Sequence, residues 1–405
     1  MNKTIEKMKK AGINSSMLSM IIMVVFIGFG EKMGERFLPL YIMSLGGTAV
    51  AVASLNTMDN LLSSLYSYPG GWVSDKIGYK KALIVFTIIA LFGYLIVIFI
   101  PTWQSVLVGA LFFIAWTAIS LPAVMSMVSK TMPKNKRVKG ITIHSFVRRI
   151  PMALGPIAGG ALIGAFGEVT GMRVAFSVAS VLALFSIVFV AKFMPEDKSI
   201  KPKSRGFRKT VKNLSGPLRV LLISDILIRF AEQIPYAFVV IWAVTLNGLT
   251  PIKFGVLTMI EMVTAMLIYI PVAYLADKYR KKPFILITFM FFTLFPLVLI
   301  FSKSFGMLVV AFIIRGMKEF GEPTRKALIM DLAPEKAKAG TFGAYYLVRD
   351  IFVSAAAFGA AFLWNISPQV NFAVAFGFGV IGCVVFAIYG KDFKLASSEK
   401  IKLES

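Results

Sequence analysis

The feature that most constrains this chain is a recurrence of apolar runs, each about 20 residues long, the helix length that crosses a hydrocarbon layer of roughly 30 Å. Twelve such runs are read near 17–44, 49–73, 82–101, 104–129, 141–166, 172–193, 217–245, 251–276, 283–302, 305–332, 340–365 and 370–390. Inside lipid no water is present to bond backbone N–H and C=O groups, so segments of this kind close their hydrogen bonds internally as helices. The sequence therefore predicts an all-α polytopic membrane protein with twelve transmembrane helices. Composition agrees: 16% of the 405 residues are charged, against about 25% in soluble domains.

The formal charge of +24 invites a nucleic-acid reading, and its distribution argues against one. Of 44 Lys and Arg, 31 fall at the N-terminus, at the C-terminus and around the 2–3, 4–5, 6–7, 8–9 and 10–11 loops. The opposite loops hold three: Arg173, Lys253 and Lys303. This is the positive-inside asymmetry of a cell (plasma or cytoplasmic) membrane protein, and it predicts that both termini are cytoplasmic. No nucleic-acid partner is expected, and lipid is the surrounding medium. Lys3, Lys7, Lys9 and Lys10 precede the first apolar run as in a signal peptide. That run is too long and contains Glu31 and Glu35, so it is read as a retained first helix. With Cys383 and His144 the only residues of their types, neither a disulfide nor a Cys/His zinc site can form. No metal or other cofactor is expected.

Sliding the chain over itself by 200 to 202 residues brings unusual residues into register, which marks an internal repeat. Gly46 falls on Gly248, Asp59 on Glu261, Asp75 on Asp277, and Glu31 on Glu232. Further along, Pro122 falls on Pro323, Pro133 on Pro334, Arg149 on Arg349, and Gly159 on Gly359. Two six-helix bundles are predicted, over 1–193 and 217–405, joined by a polar, basic cytoplasmic linker over 194–216. Parallel repeats imply a pseudo-two-fold axis along the membrane normal and a solute path at the seam.

The segment between the second and third runs holds Gly71, Asp75, Lys76, Gly78, Lys80 and Lys81. In residue type and spacing it resembles the G-x-x-x-D-(R/K)-x-G loop of the major facilitator superfamily of secondary transporters. The second-half copy keeps Asp277, Lys278, Lys281 and Lys282 but has Ala273 and Arg280 in place of the glycines. The resemblance covers the whole chain through length, span count, central loop and paired motif. It implies a cytoplasmic latch built on Gly71, Asp75, Lys76, Gly78, Lys80 and Asp277, to which Arg149 and Arg349 are assigned because the repeat preserves them. It also implies that helices 1, 4, 7 and 10 line a central cavity. Gly155-Pro156-Ile157-Ala158-Gly159-Gly160 resembles the core of a drug/proton antiporter signature, although Pro151 and Thr142 stand where the longer signature has glycines. A packing face of small residues with a proline bend explains the same segment. Glu35-Arg36-Phe37 is similar to a motif of proton-coupled peptide transporters, with Glu31 one residue further away than that motif places its acid.

Ten basic and ten acidic residues remain inside the predicted spans. A charge at the bilayer centre costs at least about 2.5–3.5 kcal/mol on insertion scales, so such residues face the bundle interior, pair, or line a wet cavity. Asp225, Arg229 and Glu232 lie within about 60° on helix 7. Arg315, Lys318, Glu319, Glu322 and Lys326 are predicted to form one stripe, about 100° wide, on helix 10. Glu31 and Glu35 share a face of helix 1. The proton-coupling candidates are Glu31, Glu35, Glu232 and Glu319. The candidates for lining the substrate cavity are Lys32, Arg36, Asp59, Arg229, Glu261, Arg315, Lys318 and Glu322. The bland alternative is that these acids and bases only compensate one another.

With no ATP-binding P-loop pattern and no extended soluble domain, neither an ATP-driven pump nor an enzyme is expected. The leading expectation is a monomeric secondary transporter that moves a small-molecule substrate by alternating access, coupled to protons, in the direction of drug or metabolite efflux. Uptake of an anionic, zwitterionic or peptide-like solute is the alternative, and a non-transporting membrane sensor is a third class.

Overall fold

The computed structural model describes residues 15–114, 116, 120, 137–194, 215–276, 280–333 and 338–391. Twelve spans follow in chain order. The first half holds α1 (Ser15–Glu35, continued as Leu38–Ser44), α2 (Ala49–Ile77), α3 (Tyr79–Phe99), α4 (described over Trp103–Phe113), α5 (Arg137–Phe166) and α6 (Glu168–Phe193). The second holds α7 (Gly216–Tyr236, then Val239–Ile241 and a π-helical turn, Trp242–Leu246), α8 (Pro251–Ala276), α9 (Lys281–Phe301), α10 (Phe305–Met317 and Glu322–Leu332), α11 (Lys338–Ile366) and α12 (Pro368–Tyr389). By length and composition seven of the described helices can cross a membrane, or eight when the two bent pieces of α7 count as one span.

The exposure pattern is that of a protein dissolved in lipid. Phe99 and Ile366 are 72% and 71% exposed, whereas Asp225 and Arg325 are 1% exposed. Hydrocarbon is as good a solvent for the apolar rim as the core is, so polarity is turned inward.

The repeat is visible in backbone conformation. Gly46 and Gly248 both adopt positive φ, 79° and 67°, in the turns that lead into α2 and α8, a region where a Cβ is strained. Thr102 and Ser304, also 202 positions apart, both cap the following helix by accepting a backbone N–H. The motif turns differ. Gly78 joins α2 to α3 at φ 84°, whereas its counterpart Arg280 sits at φ −60° in extended backbone. The second turn has lost the glycine conformation along with the glycine.

Three spans expected to be continuous are broken. In α1 the break falls at Arg36–Phe37, where the Phe37 N–H reverts to Gly34 O at 2.9 Å and Pro39 opens the next helix. In α7 it falls at Ala237–Phe238, just after Pro235, which supplies no N–H to the ladder. The two breaks are repeat-equivalent, 201 residues apart. In α10 residues 318–321 form an overwound turn, held by Gly321 N–H donating to Thr288 Oγ1 of α9 at 2.5 Å. Among the described residues no strand is present.

Candidate functional site

The breaks in α1 and α7 place side chains at a cavity between the two halves. Its walls include Glu35, Arg36, Leu38 and Pro39 of α1, Leu55, Asn56 and Asp59 of α2, Tyr236 and Val240 of α7, Phe254 of α8, and Arg315 of α10. The empty volume, counted to its open mouth, is about 490 Å³. A smaller recess of about 200 Å³ lies beside it, walled by Glu232, Phe291, Phe292, Phe295, Arg315 and Lys318. Clefts between helix bundles with apolar walls and a few convergent polar groups are where small solutes are expected to bind.

The cavity charges are arranged oppositely in the two halves. On α1 one lysine serves two carboxylates: Lys32 Nζ lies 3.1 Å from Glu31 Oε1 and also bonds Glu35. At the repeat-equivalent place on α7 one carboxylate serves two cations. Glu232 accepts from Arg229 at 2.5 Å and from Lys318 Nζ at 2.8 Å. Asp59 and Glu261, another equivalent pair, differ more. Glu261, on α8, is met by Arg315 at 3.2 Å, Lys318 at 3.4 Å and, across the seam, Arg36 at 4.0 Å. Asp59 accepts from the Ser63 hydroxyl at 3.4 Å, and no described Lys or Arg pairs with it. Burial of an ion without a partner is costly, so these pairings decide which groups stay charged.

Towards the basic end of the bundle, a second network lies within the second half. Asp225 of α7 is bonded by Arg325 and accepts from Tyr345 Oη at 3.0 Å, with Arg349 at 3.6 Å. Glu322 takes Arg325 at 2.6 Å, Arg229 at 3.4 Å and the half-exposed Lys326 at 3.5 Å. Arg349 also grips Asp350 at 2.6 Å, and Asp350 accepts from Ser64 Oγ of α2 at 3.0 Å. Arg149 of α5 crosses the seam to Glu319 at 3.0 Å.

These contacts correct one expectation. Arg315, Lys318, Glu319, Glu322 and Lys326 do not form one stripe, because α10 is broken through 318–321. The break fans them out: Arg315 and Lys318 toward Glu261, Glu319 toward α5, and Glu322 toward Arg229 and Arg325. Of the motif residues, Lys76 is exposed over the Trp72 ring at 4.8 Å, and Lys80 is half-buried. The side chains at Gly71 and Asp75, and the whole of Asp277, lie outside the described residues.

At the lysine-poor end the halves are in contact. Phe37 meets Phe254 edge-on, with centroids 5.6 Å apart. Asn56 Nδ2 donates to Gln233 O at 3.0 Å, and Asn60 Nδ2 to Gln233 Oε1 at 3.2 Å. α5 crosses α8 backbone to backbone: a Cβ added to Gly160 would lie 2.5 Å from Pro251 O, and one added to Gly255 would lie 2.4 Å from Pro156 O. Gly155 and Gly159 press likewise on Lys32 and Met33 of α1. The glycines of 155–160 thus bring three helices together, the close approach that small residues permit in membranes.

Charge counting missed Tyr236, which lies within 5.2 Å of the Arg36 guanidinium and 5.3 Å of that of Arg315. It is four residues after Glu232 on the same helix, and that spacing was its only signal. Asn56, Asn60, Gln233 and Tyr345 are neutral and gave none.

The family model described as Major Facilitator Superfamily matches residues 20–249 and 221–403. An uncharacterized MFS-type transporter of Methanocaldococcus jannaschii is 22% identical over 353 residues, covering 84% of this chain and 86% of that protein. A crystal structure of the nucleoside transporter NupG has a TM-score of 0.79 at 13% identity, covering 93% of this chain and 100% of that one. One of the peptide transporter POT has a TM-score of 0.75 at 14% identity, over 92% and 93%.

Proposed function

This chain belongs to the Major Facilitator Superfamily and is a multi-pass membrane transporter of that type, and from that premise we propose that it carries a small charged solute by alternating access, coupled to protons. The observation that carries the proposal is the cavity at the seam, where Glu35, Arg36, Asp59 and Arg315 from both halves share one wall with Tyr236. A cavity lined from both bundles is the arrangement that rocking of one repeat against the other requires.

Proton coupling needs a carboxylate whose charge is not already committed. Glu232 is clasped by two cations and Glu319 by Arg149, so both are already committed to partners. Glu31 and Glu35 share one lysine, and Asp59 has only a hydroxyl. Asp59, with Glu35 beside it on the cavity wall, is the proton carrier of this reading. A proton bound there neutralises a carboxylate that no described Lys or Arg pairs with directly, and it moves with the solute.

Uptake is the preferred direction over drug or metabolite efflux. The efflux reading leans on the 155–160 signature, whose glycines serve helix contact. The structural likeness to a nucleoside transporter and a peptide transporter fits uptake of a polar solute. With both termini in the cytoplasm, the contacts described above close the external end. Gly71, Asp75, Lys76, Gly78, Lys80 and Asp277, with Arg149 and Arg349, form the cytoplasmic gate, in which the cross-seam contacts of Arg149 and Arg349 are already made and which tightens in the opposite state. Arg149 acts across the seam, and Arg349 acts through Asp350 and Ser64.

Purified protein in liposomes under an imposed pH gradient tests this. A panel of small metabolites is added while internal pH is followed, and at least one moves protons with wild type but not with Asp59→Asn. Proton movement equal in the two proteins removes Asp59 from the mechanism, and none with any compound removes the coupling.

A further inference from the structure

We infer that the coupling proton leaves the cavity by a route of its own, passing from Asp59 on α2 to Asp350 on α11 along the seam of those two helices, by way of Ser63 and Ser64. The inference rests on the proposed role of Asp59 as proton carrier and adds the acceptor to which Asp59 delivers.

The halves meet along two helix pairs that the internal repeat relates, α5 with α8 and α2 with α11, and the two seams are unlike. At Gly160 and Gly255 the α5–α8 crossing has no space for a methyl group, and so none for water. On α11, by contrast, an added Cβ at Gly343 or Gly359 would have no atom within 4 Å. The face that α2 turns to this seam carries Asn56, Asp59, Asn60, Ser63 and Ser64, at the spacing of one helical face. Polar residues on such a face of a span reach partners or water. Asn56 and Asn60 reach Gln233 of α7, and Ser64 reaches α11.

Two consecutive hydroxyls serve two carboxylates from opposite halves. Ser63 Oγ donates to Asp59 Oδ1 at 3.4 Å, and Ser64 Oγ donates to Asp350 Oδ2 at 3.0 Å. Asp59 lines the cavity, whereas Ser63, Ser64 and Asp350 are not among the residues that wall it. Side chains at neighbouring positions of a helix do not face one another, so water in the seam joins the two hydroxyls. The transfer balances. The O–H bond of Asp59 breaks, that of Asp350 forms, and each hydroxyl and water between them gives up one proton and takes another.

The groups around the two acids set the direction. Asp59 shares the cavity wall with Glu35 and Arg36 of α1, Tyr236 of α7 and Arg315 of α10, and Glu35 is bonded by Lys32. The described part of α4 has no charged residue, and the lysines of α3 stand in its first turn. Asp350 is gripped by Arg349 at 2.6 Å. The same guanidinium lies 3.6 Å from Asp225 of α7 and 4.2 Å from the Tyr346 ring, and its Nη1 makes no hydrogen bond. Arg325 of α10 and Tyr345 also bond Asp225, and α12 has no charged residue within its helix. Arg349 thus stands between two acids. A proton arriving on Asp350 removes the charge that held the guanidinium, which turns to Asp225, where Nη1 finds an acceptor. The tie to Ser64 then loosens, the cytoplasmic gate opens, and the proton leaves to the cytoplasm. Ser63 and Ser64 relay the proton, and Arg349 is a positioning residue that acts through Asp350.

The test follows the proton itself. Purified full chain is placed in vesicles with its cytoplasmic face inward, a photolabile caged acid is trapped inside, and infrared carboxyl bands are recorded after the flash. Transfer is reversible, so acid released on that side loads Asp59 by the same route. Wild type gives a protonated-carboxyl band that Asp59→Asn removes. Asp350→Asn slows the rise of that band by about a hundredfold, the lower end of what a positioned proton-transfer group contributes. Ser63→Ala and Ser64→Ala slow it in smaller degree with unchanged final amplitude, and Ser64→Thr, which keeps the hydroxyl, restores the rate. Should Asp350→Asn fail to fold, the Ala and Thr variants of Ser64 carry the test. A merely structural Ser64 would move the melting temperature and leave the rate alone. A band that rises at the wild-type rate in Asp350→Asn and Ser64→Ala overturns the route and leaves Asp59 as carrier, loaded through the solute cavity. The lack of any band sensitive to Asp59→Asn overturns the carrier and the route together.

Discussion

Asp59 and Glu261 occupy equivalent places in the two halves, one on α2 and one on α8, and only Glu261 is surrounded by cations. The same asymmetry runs through the molecule. On α1 one lysine is shared by Glu31 and Glu35, whereas on α7 Glu232 is shared by two cations, and the second half adds the Asp225–Arg325–Glu322 network behind it. A repeated fold can thus divide labour. One copy carries a wired charge lattice, and the other holds an acid that no described Lys or Arg pairs with. The chemistry at each place follows from its partners, not from the acid itself.

Removing charges of comparable burial should therefore cost the second half more. The largest loss is expected for Arg325→Met, which strands Asp225 and Glu322 in a buried site. About 3–5 kcal/mol of stability should go, read by unfolding in detergent. A loss below that of Asp59→Asn would break the comparison. Glu261→Gln comes next, at about 1.5–3 kcal/mol, because its contacts are longer and lack hydrogen-bond geometry. Arg149→Gln removes a partly exposed pair worth about 0–1 kcal/mol. Its informative readout is the distance between spin labels on the two halves, which should broaden if the Arg149–Glu319 pair holds the seam. Smallest in stability is Asp59→Asn, within about 0.5 kcal/mol of wild type, although proton movement should disappear. A large destabilisation there would mean that Asp59 is structural, and the division of labour between the halves would fail.

Much of the fold was legible because lipid imposes few solutions. Apolar runs of one length and a one-sided bias of Lys and Arg leave a twelve-helix bundle as the consistent reading. The repeat offsets then paired Gly46 with Gly248, and the structure gives both the same positive φ. The charges near the middle of α1, α7 and α10 were legible as a site because an ion in hydrocarbon demands a reason. Their grouping was not. Helical periodicity placed Arg315 through Lys326 on one stripe, and a four-residue break in α10 dispersed them. Gly321 and Pro323 lie at that break, but either residue is tolerated in membrane helices, and the tie that decides the matter is Thr288 on another helix. Tyr236 escaped for a similar reason, since a tyrosine in an apolar span is unremarkable until two arginines are found against its ring.

The sequence alone determined the number of spans, their internal repeat, the side of the bundle that carries the basic loops, and the membership of the buried charge set. These follow from transfer free energy and periodicity, which act on each residue locally. Only the tertiary structure decided that Glu232 is paired with two cations and Asp59 with none of the described ones, and that Arg36 and Arg315 meet at one tyrosine. Pairing is a matter of distance across helices that are far apart in the chain. An offset of 201 or 202 residues carries over the position of an acid but not the neighbours that set its charge.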